Sequence, residues 1–146
     1  MKGGSRLNVT VEDLVVPDLV SAGTSQLKPV NWPAGAQLEG EPIDLVGESF
    51  RQEALDQIGV LTKGSTFEIW LCPEPQNEYD KHAVRVMAGR HQIGYISKVE
   101  SALWSKRALP LWLQDRYLTG EAWGVDDDPV WQGKRGARAK VWWPLA

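Results

Sequence analysis

The chain has 146 residues, 42% of them hydrophobic and 24% charged, which fits one globular domain and excludes wholesale disorder. Nineteen acidic against sixteen basic residues leave a net charge of −3, so a broad polybasic coat for nucleic acid is excluded and only a local anion site remains. The single cysteine, Cys72, forms neither an internal disulfide nor a cysteine-rich zinc site, in keeping with a reducing compartment.

The apolar stretch near the N-terminus is cut by Glu12, Asp13 and Asp18, so no secretory core forms. Nowhere does an uncharged apolar run reach the roughly 18 to 20 residues that a spanning helix needs. A soluble, cytoplasmic protein without membrane contact is expected. Residues 1–42 read as an extended N-terminal arm. Pro17, Pro29, Pro33 and Pro42 stop any long helix, and only Leu7, Val9 and Val11 alternate as an edge strand does. The arm is expected to wrap a compact body of residues 43–146.

In that body, Ile43 to Val46 is apolar enough for a strand and Gly47 turns it. Ser49 with Gln52 then forms a capping-box signature for a short helix ending before Gly59, with Phe50, Ala54, Leu55 and Ile58 on one face. Thr66 to Cys72 alternates Phe67, Ile69 and Leu71 on one face with Trp70 and Cys72 on the other. His82 to Met87 and Gln92 to Ile96 form two further strands around a tight turn at Gly89, completing a meander. Ser97 with Glu100 repeats the capping box. Val99, Ala102, Leu103 and Trp104 follow as the apolar positions of a second helix that Pro110 ends or breaks, and a half-turn or further helix covers Leu111 to Gln114. Tyr117 to Val125 and Arg138 to Trp143 close the chain as strands on either side of the Asp126, Asp127, Asp128 loop. About six strands and two short helices point to a mainly β fold, a small closed or partly open barrel.

Eight tryptophans against two phenylalanines is an unusual choice, because Trp carries a donor that wants a partner. Trp70, Trp104, Trp112, Trp123, Trp142 and Trp143 lie inside patterned segments and are assigned mostly to packing. Trp32 and Trp131, close to prolines, are assigned to the surface or a lid. Charge is polarised: residues 46–80 hold seven acidic and two basic side chains, whereas residues 81–107 hold six basic and one acidic. Lys81, Arg85, Arg90, Lys98, Lys106 and Arg107 could therefore form a modest basic face.

Catalysis is not expected. His82, His91, Cys72 and the three consecutive aspartates make no recognised nucleophile, base or metal constellation, and no cofactor or metal is implied. The most informative segment runs from Cys72 to Val86. Asn77 and Asp80 stabilise a turn through their own backbone contacts, and Tyr79 presents a flat ring on which a base could stack.

Val46-Gly47-Glu48-Ser49-Phe50, then Glu74-Pro75-Gln76-Asn77-Glu78-Tyr79-Asp80-Lys81-His82-Ala83-Val84, then Ile93-Gly94-Tyr95-Ile96 together resemble the three successive signatures of the HIRAN domain, over about residues 43–125. The resemblance implies an OB-like barrel. It also implies a role in DNA repair or defence, since the family occurs fused to helicases and nucleases and as stand-alone bacterial proteins. In the helicase-like transcription factor it captures the 3′-hydroxyl end of single-stranded DNA. Carried over, Tyr79 stacks on the terminal base, Asp80 accepts from the 3′-hydroxyl, and Asn77 shapes the pocket. Phe50 stacks nearby, Tyr95 takes the place of a pocket histidine, and Lys98 meets phosphate. Ser49 stands where the DNA-binding example has arginine, and Glu78 where proline is common. Two stacking rings at about 1–3 kcal/mol each give the expectation of a weak, roughly micromolar complex.

The resemblance thus implies a single-stranded DNA end as ligand, with an RNA end equally able to offer a hydroxyl. A helicase or nuclease is implied as a possible protein partner. The alternative is a protein-interaction subunit of a repair or defence complex, docking through the arm and the strand bearing Trp142 and Trp143, that does not itself bind DNA.

Overall fold

The computed structural model describes residues 27–47, 55, 57, 58, 62, 66–125 and 136–145. Nine strands lie among them: β1 (Lys28–Pro29), β2 (Leu38–Ile43), β3 (Leu45–Val46), β4 (Phe67–Pro73), β5 (Val84–Ala88), β6 (His91–Ile96), β7 (Arg116–Tyr117), β8 (Thr119–Val125) and β9 (Gly136–Pro144). The helix α1 spans Lys98–Trp112. Among the described residues no helix is long and apolar enough to cross a membrane.

Seven strands form one sheet in the order β2-β9-β8-β4-β5-β6-β3, with every neighbouring pair antiparallel. Its two edge strands, β2 and β3, are separated in sequence only by Asp44. A sheet whose edges are one continuous piece of chain has to curl until those edges meet, and the result is the curled, OB-like barrel expected of the sequence. Asp44 is the corner. Its N–H donates to the Glu100 carboxylate at 2.8 Å, and its carbonyl accepts from the Ser97 N–H at 2.8 Å. Both main-chain groups that leave the ladder are therefore satisfied by the start of α1.

Alternation decides the two faces of the meander. Phe67, Ile69 and Leu71 of β4 and Val84 and Val86 of β5 are buried inside the barrel. Trp70 and Cys72 face outward, where Trp70, Met87 and Tyr117 form a second cluster with Leu27, Cys72 and Trp112. The Trp70 indole satisfies its donor on the Gly89 carbonyl at 2.8 Å. Gly89, at φ 58, with Arg90 makes the two-residue turn into β6. Residues 27–43 are tied to the body. β1 pairs in parallel with β7, β2 pairs with β9 from Leu38↔Pro144 to Ile43↔Ala139, and Val30 and Trp32 pack on the core. Trp32 is a half-buried core neighbour rather than a surface ring.

Three expectations for α1 need correction. Pro110 neither ends nor breaks it: the proline falls in the last turn, where only one intrahelical donor is lost, and the helix stops after Trp112 with Asp115 in the left-handed region at φ 62. The Ser97–Glu100 capping box does not form, because Glu100 is taken by the Asp44 corner and the Ser97 hydroxyl makes no capping bond. Of the four apolar positions expected on the inner face only Trp104 is there, and Val99, Ala102 and Leu103 face outward. Ser101, Trp104, Ser105 and Ala108 are buried, while Val99 is 94% exposed and Leu103 48%. Small serines and alanine let the helix axis approach β4, β5 and β7, and only one large ring fits beneath it. Of the earlier helical segment, Leu55, Gln57, Ile58 and Thr62 are helical, with Leu55 and Ile58 buried. Ser49, Phe50, Gln52, Leu7 to Val16, Asp126 to Asp128 and Trp131 lie outside the described residues.

Candidate nucleic-acid interface

The β4–β5 connection is a turn stapled by its own side chains. The Asn77 carbonyl oxygen accepts from the backbone N–H of Tyr79 at 2.8 Å and of Asp80 at 2.9 Å. Asp80 repeats the device two residues on, its Oδ1 accepting from the His82 N–H at 2.9 Å. Backbone bonds from Asn77 N–H to the Glu74 carbonyl, Ala83 N–H to Asp80 and Glu74 N–H to Ala83 close the loop. These are the turns that Asn and Asp side chains make in competition with regular structure. Tyr79 is 93% exposed at the tip of this frame.

Glu74 joins the loop to the sheet. Its Oε1 accepts from the Asn77 amide at 3.1 Å and from the Tyr95 hydroxyl at 3.1 Å. Its Oε2 stands 3.8 Å from the Arg85 Nε, which donates to Gln92 Oε1 at 3.3 Å. The strand register explains the assembly: Cys72, Arg85, Tyr95 and Val46 are successive cross-strand partners on β4, β5, β6 and β3. They form one row on the outer face. Burial is the main cause that pushes the Cys72 thiol up; the Arg85 guanidinium opposes the rise and the Glu74 carboxylate adds to it.

Asn77, Tyr79, Asp80 and Tyr95 are thus brought into one hydrogen-bonded unit. Lys98 is exposed as the first residue of α1, two positions beyond β6, and no hydrogen bond or ion pair among the described residues joins it to the loop. Phe50 lies outside the described residues. Two of the six cations of the expected basic face stand against carboxylates. Arg107 is ion-paired with Glu41 and lies over both the Trp104 and Trp143 rings, at 4.7 and 4.4 Å from their centroids, and Arg85 faces Glu74. On the C-terminal strand Lys140 lies 5.1 Å from the Trp142 centroid and pairs with Glu121 at 3.3 Å. Sequence reasoning did not single out Glu74 as the hub. The available signal was Arg85, the one polar residue between Val84 and Val86, which had to point away from the core and needed a partner there.

The model of the HIRAN domain family matches residues 44–118, from the Asp44 corner through the stapled loop and α1 to the end of β7. The chain belongs to the HIRAN domain family. Membership points to a DNA-binding module. Among solved structures, a crystal structure of a protein from Lactobacillus plantarum matches this HIRAN chain with a TM-score of 0.50 and 21% identity, covering 75% of this chain and 97% of that one. At that identity the likeness concerns the fold alone. A comparison with curated proteins finds no match.

Proposed function

We propose that this HIRAN domain is a non-catalytic module that captures single-stranded DNA, preferentially at a 3′-hydroxyl end. The observation that carries the reading is Tyr79, whose ring is 93% exposed while its own N–H is fixed by Asn77. An aromatic ring held in water on a braced turn has a free face, and a terminal base stacked on it is worth about 1–3 kcal/mol. Asp80 follows directly. One carboxylate oxygen is engaged with His82, and the other has no partner among the described residues, so it accepts from a hydroxyl and repels a 3′-phosphate. Tyr95 and Asn77 define the pocket wall, Phe50 supplies the second ring, and Lys98 meets the phosphate chain.

The test is fluorescence anisotropy with short 5′-labelled single strands ending in 3′-hydroxyl or 3′-phosphate, at low and moderate salt. The hydroxyl end is expected to bind more tightly. Asp80→Asn keeps an oxygen for the His82 N–H while removing the charge, and is expected to erase the difference between the ends. Tyr79→Ala is expected to weaken binding about tenfold or more. Equal affinity for the two ends in wild type, or a preference untouched by Asp80→Asn, overturns the reading. Matched RNA strands establish whether a 2′-hydroxyl is accepted.

A further inference from the structure

We propose that Arg85 takes a backbone phosphate of the captured strand, and that Glu74 is the counter-ion holding Arg85 when no strand is bound. The assignment rests on the end-capture reading and adds the residue that anchors the strand beyond its last base. Arg85 is the cross-strand partner of Tyr95, so a strand lying along the Tyr95 side of the loop passes the neighbouring position of the same row. Its side chain is 33% exposed and that of Glu74 27%. Both are open to a ligand, yet low enough in the sheet to be held in place.

The Arg85–Glu74 contact is loose. At 3.8 Å it is an ion pair without a hydrogen bond. Glu74 Oε1 is already occupied by Asn77 and Tyr95. Of the five N–H donors of the guanidinium, only the Nε donor reaches an oxygen among the described residues, that of Gln92 at 3.3 Å, and the group's other neighbour is the weakly accepting Cys72 sulfur. The remaining planar fork suits a phosphate, which accepts two parallel bonds that this geometry denies to Glu74. Two other cations are committed elsewhere: Arg107 to Glu41 and two tryptophan rings, Lys140 to Glu121 and Trp142. Glu74 then has two jobs. It positions Tyr95 and the Asn77 turn, and its charge competes with phosphate for Arg85, so that a strand lacking the matching end gains little from this cation.

The experiment is a chemical double-mutant cycle on the full chain. Short 5′-labelled oligothymidylates ending in 3′-hydroxyl carry a neutral methylphosphonate at each of the last three linkages in turn. Arg85→Gln is expected to weaken the unmodified strand about tenfold, and to cost almost nothing on the strand whose critical phosphate is already neutral. Arg85→Lys is expected to fall between, since it keeps charge without the fork. Glu74→Gln keeps an acceptor for Tyr95 and Asn77 and is expected to tighten binding severalfold, with a steeper salt dependence. Thermal unfolding of each variant checks that the fold is kept. An intact hydroxyl preference with no coupling between Arg85 and any of the three linkages overturns the Arg85 assignment alone. Weaker binding by Glu74→Gln overturns the counter-ion role. Coupling without end preference overturns end capture alone, and no binding by wild type overturns both.

Discussion

Gly120 has no room for even one methyl group: a Cβ there would stand 2.1 Å from the Lys140 carbonyl oxygen and 2.9 Å from the Val141 Cα, both main chain of the neighbouring strand. Backbone in a paired ladder does not yield, so Gly120→Ala is expected to cost about 1–3 kcal/mol in urea unfolding. Gly40 offers the control. The nearest atoms to its Cβ would all belong to the Lys140 side chain, with Cδ at 2.4 Å, and a side chain yields at less cost than paired main chain, so Gly40→Ala is expected to cost less than Gly120→Ala. Burial raises the Cys72 thiol, so its thiolate is scarce at neutral pH. Alkylation at pH 8 is expected to be slower than for a free thiol and to accelerate as pH rises; a rate equal to that of a free thiol contradicts the assigned burial. Partial desolvation by the neighbouring strand also raises the carboxyl of Glu68, which remains on the exposed face of β4, so the effect on stability is small. The fold then favours the protonated form, a stabilisation present at acid pH and lost as pH climbs through the raised folded value. Glu68→Gln is expected to unfold slightly later than wild type at pH 7 and with it at pH 3, a comparison that two melting curves settle. The Asn77 turn was legible at this scale because Asn-x-x-Asp bonds to its own neighbours. Glu74 was not, because two of its three partners, Arg85 and Tyr95, come from the separate strands β5 and β6.

Between α1 and the sheet, Arg107 is the main clamp. Its guanidinium lies in the corner made by the perpendicular rings of Trp104 of the helix and Trp143 of β9 while pairing with Glu41 of β2. Trp32 packs edge-on against Trp143 at 5.4 Å, extending the aromatic cluster. Cation–π contacts strengthen as water is excluded, and removal of the cation strands the half-buried Glu41. Arg107→Ala is therefore expected to destabilise by about 2 kcal/mol, a fall of about 4–8 °C in Tm. Arg107→Lys is expected to recover the ion pair but less of the stacking. The element borders of the meander were readable because alternating apolar residues and a turn glycine act locally. The orientation of α1 was not. Val99 and Leu103 are as apolar as residues that line cores, but a helix laid across a barrel chooses its inward face by how closely its backbone approaches, and Ser101, Ser105 and Ala108 allow the closer fit.

For the whole molecule, closure of the barrel depends on the chain serving both sheet edges through Asp44. Asp44→Pro removes the N–H given to Glu100 and is expected to cost about 3 kcal/mol or more, while Asp44→Asn keeps the main chain and is expected to leave the urea midpoint almost unchanged. Equal midpoints for the two variants would show that the corner bonds do not hold the edges together. The mainly β class, the strand meander and the loop bearing Asn77, Tyr79 and Asp80 were readable from the order of residues, since alternation, turn residues and short-range side-chain bonds act over a few positions. The HIRAN motifs pointed to its family. Three features needed the folded chain to be seen: residues 38–46 supply both edges of the curled sheet, Glu100 serves Asp44 rather than its own helix, and Arg85, Tyr95 and Glu74 share one site. Each of these pairs groups far apart in sequence, and such a pairing is fixed by strand register and by the need to satisfy buried polar groups, neither of which leaves a local pattern to read.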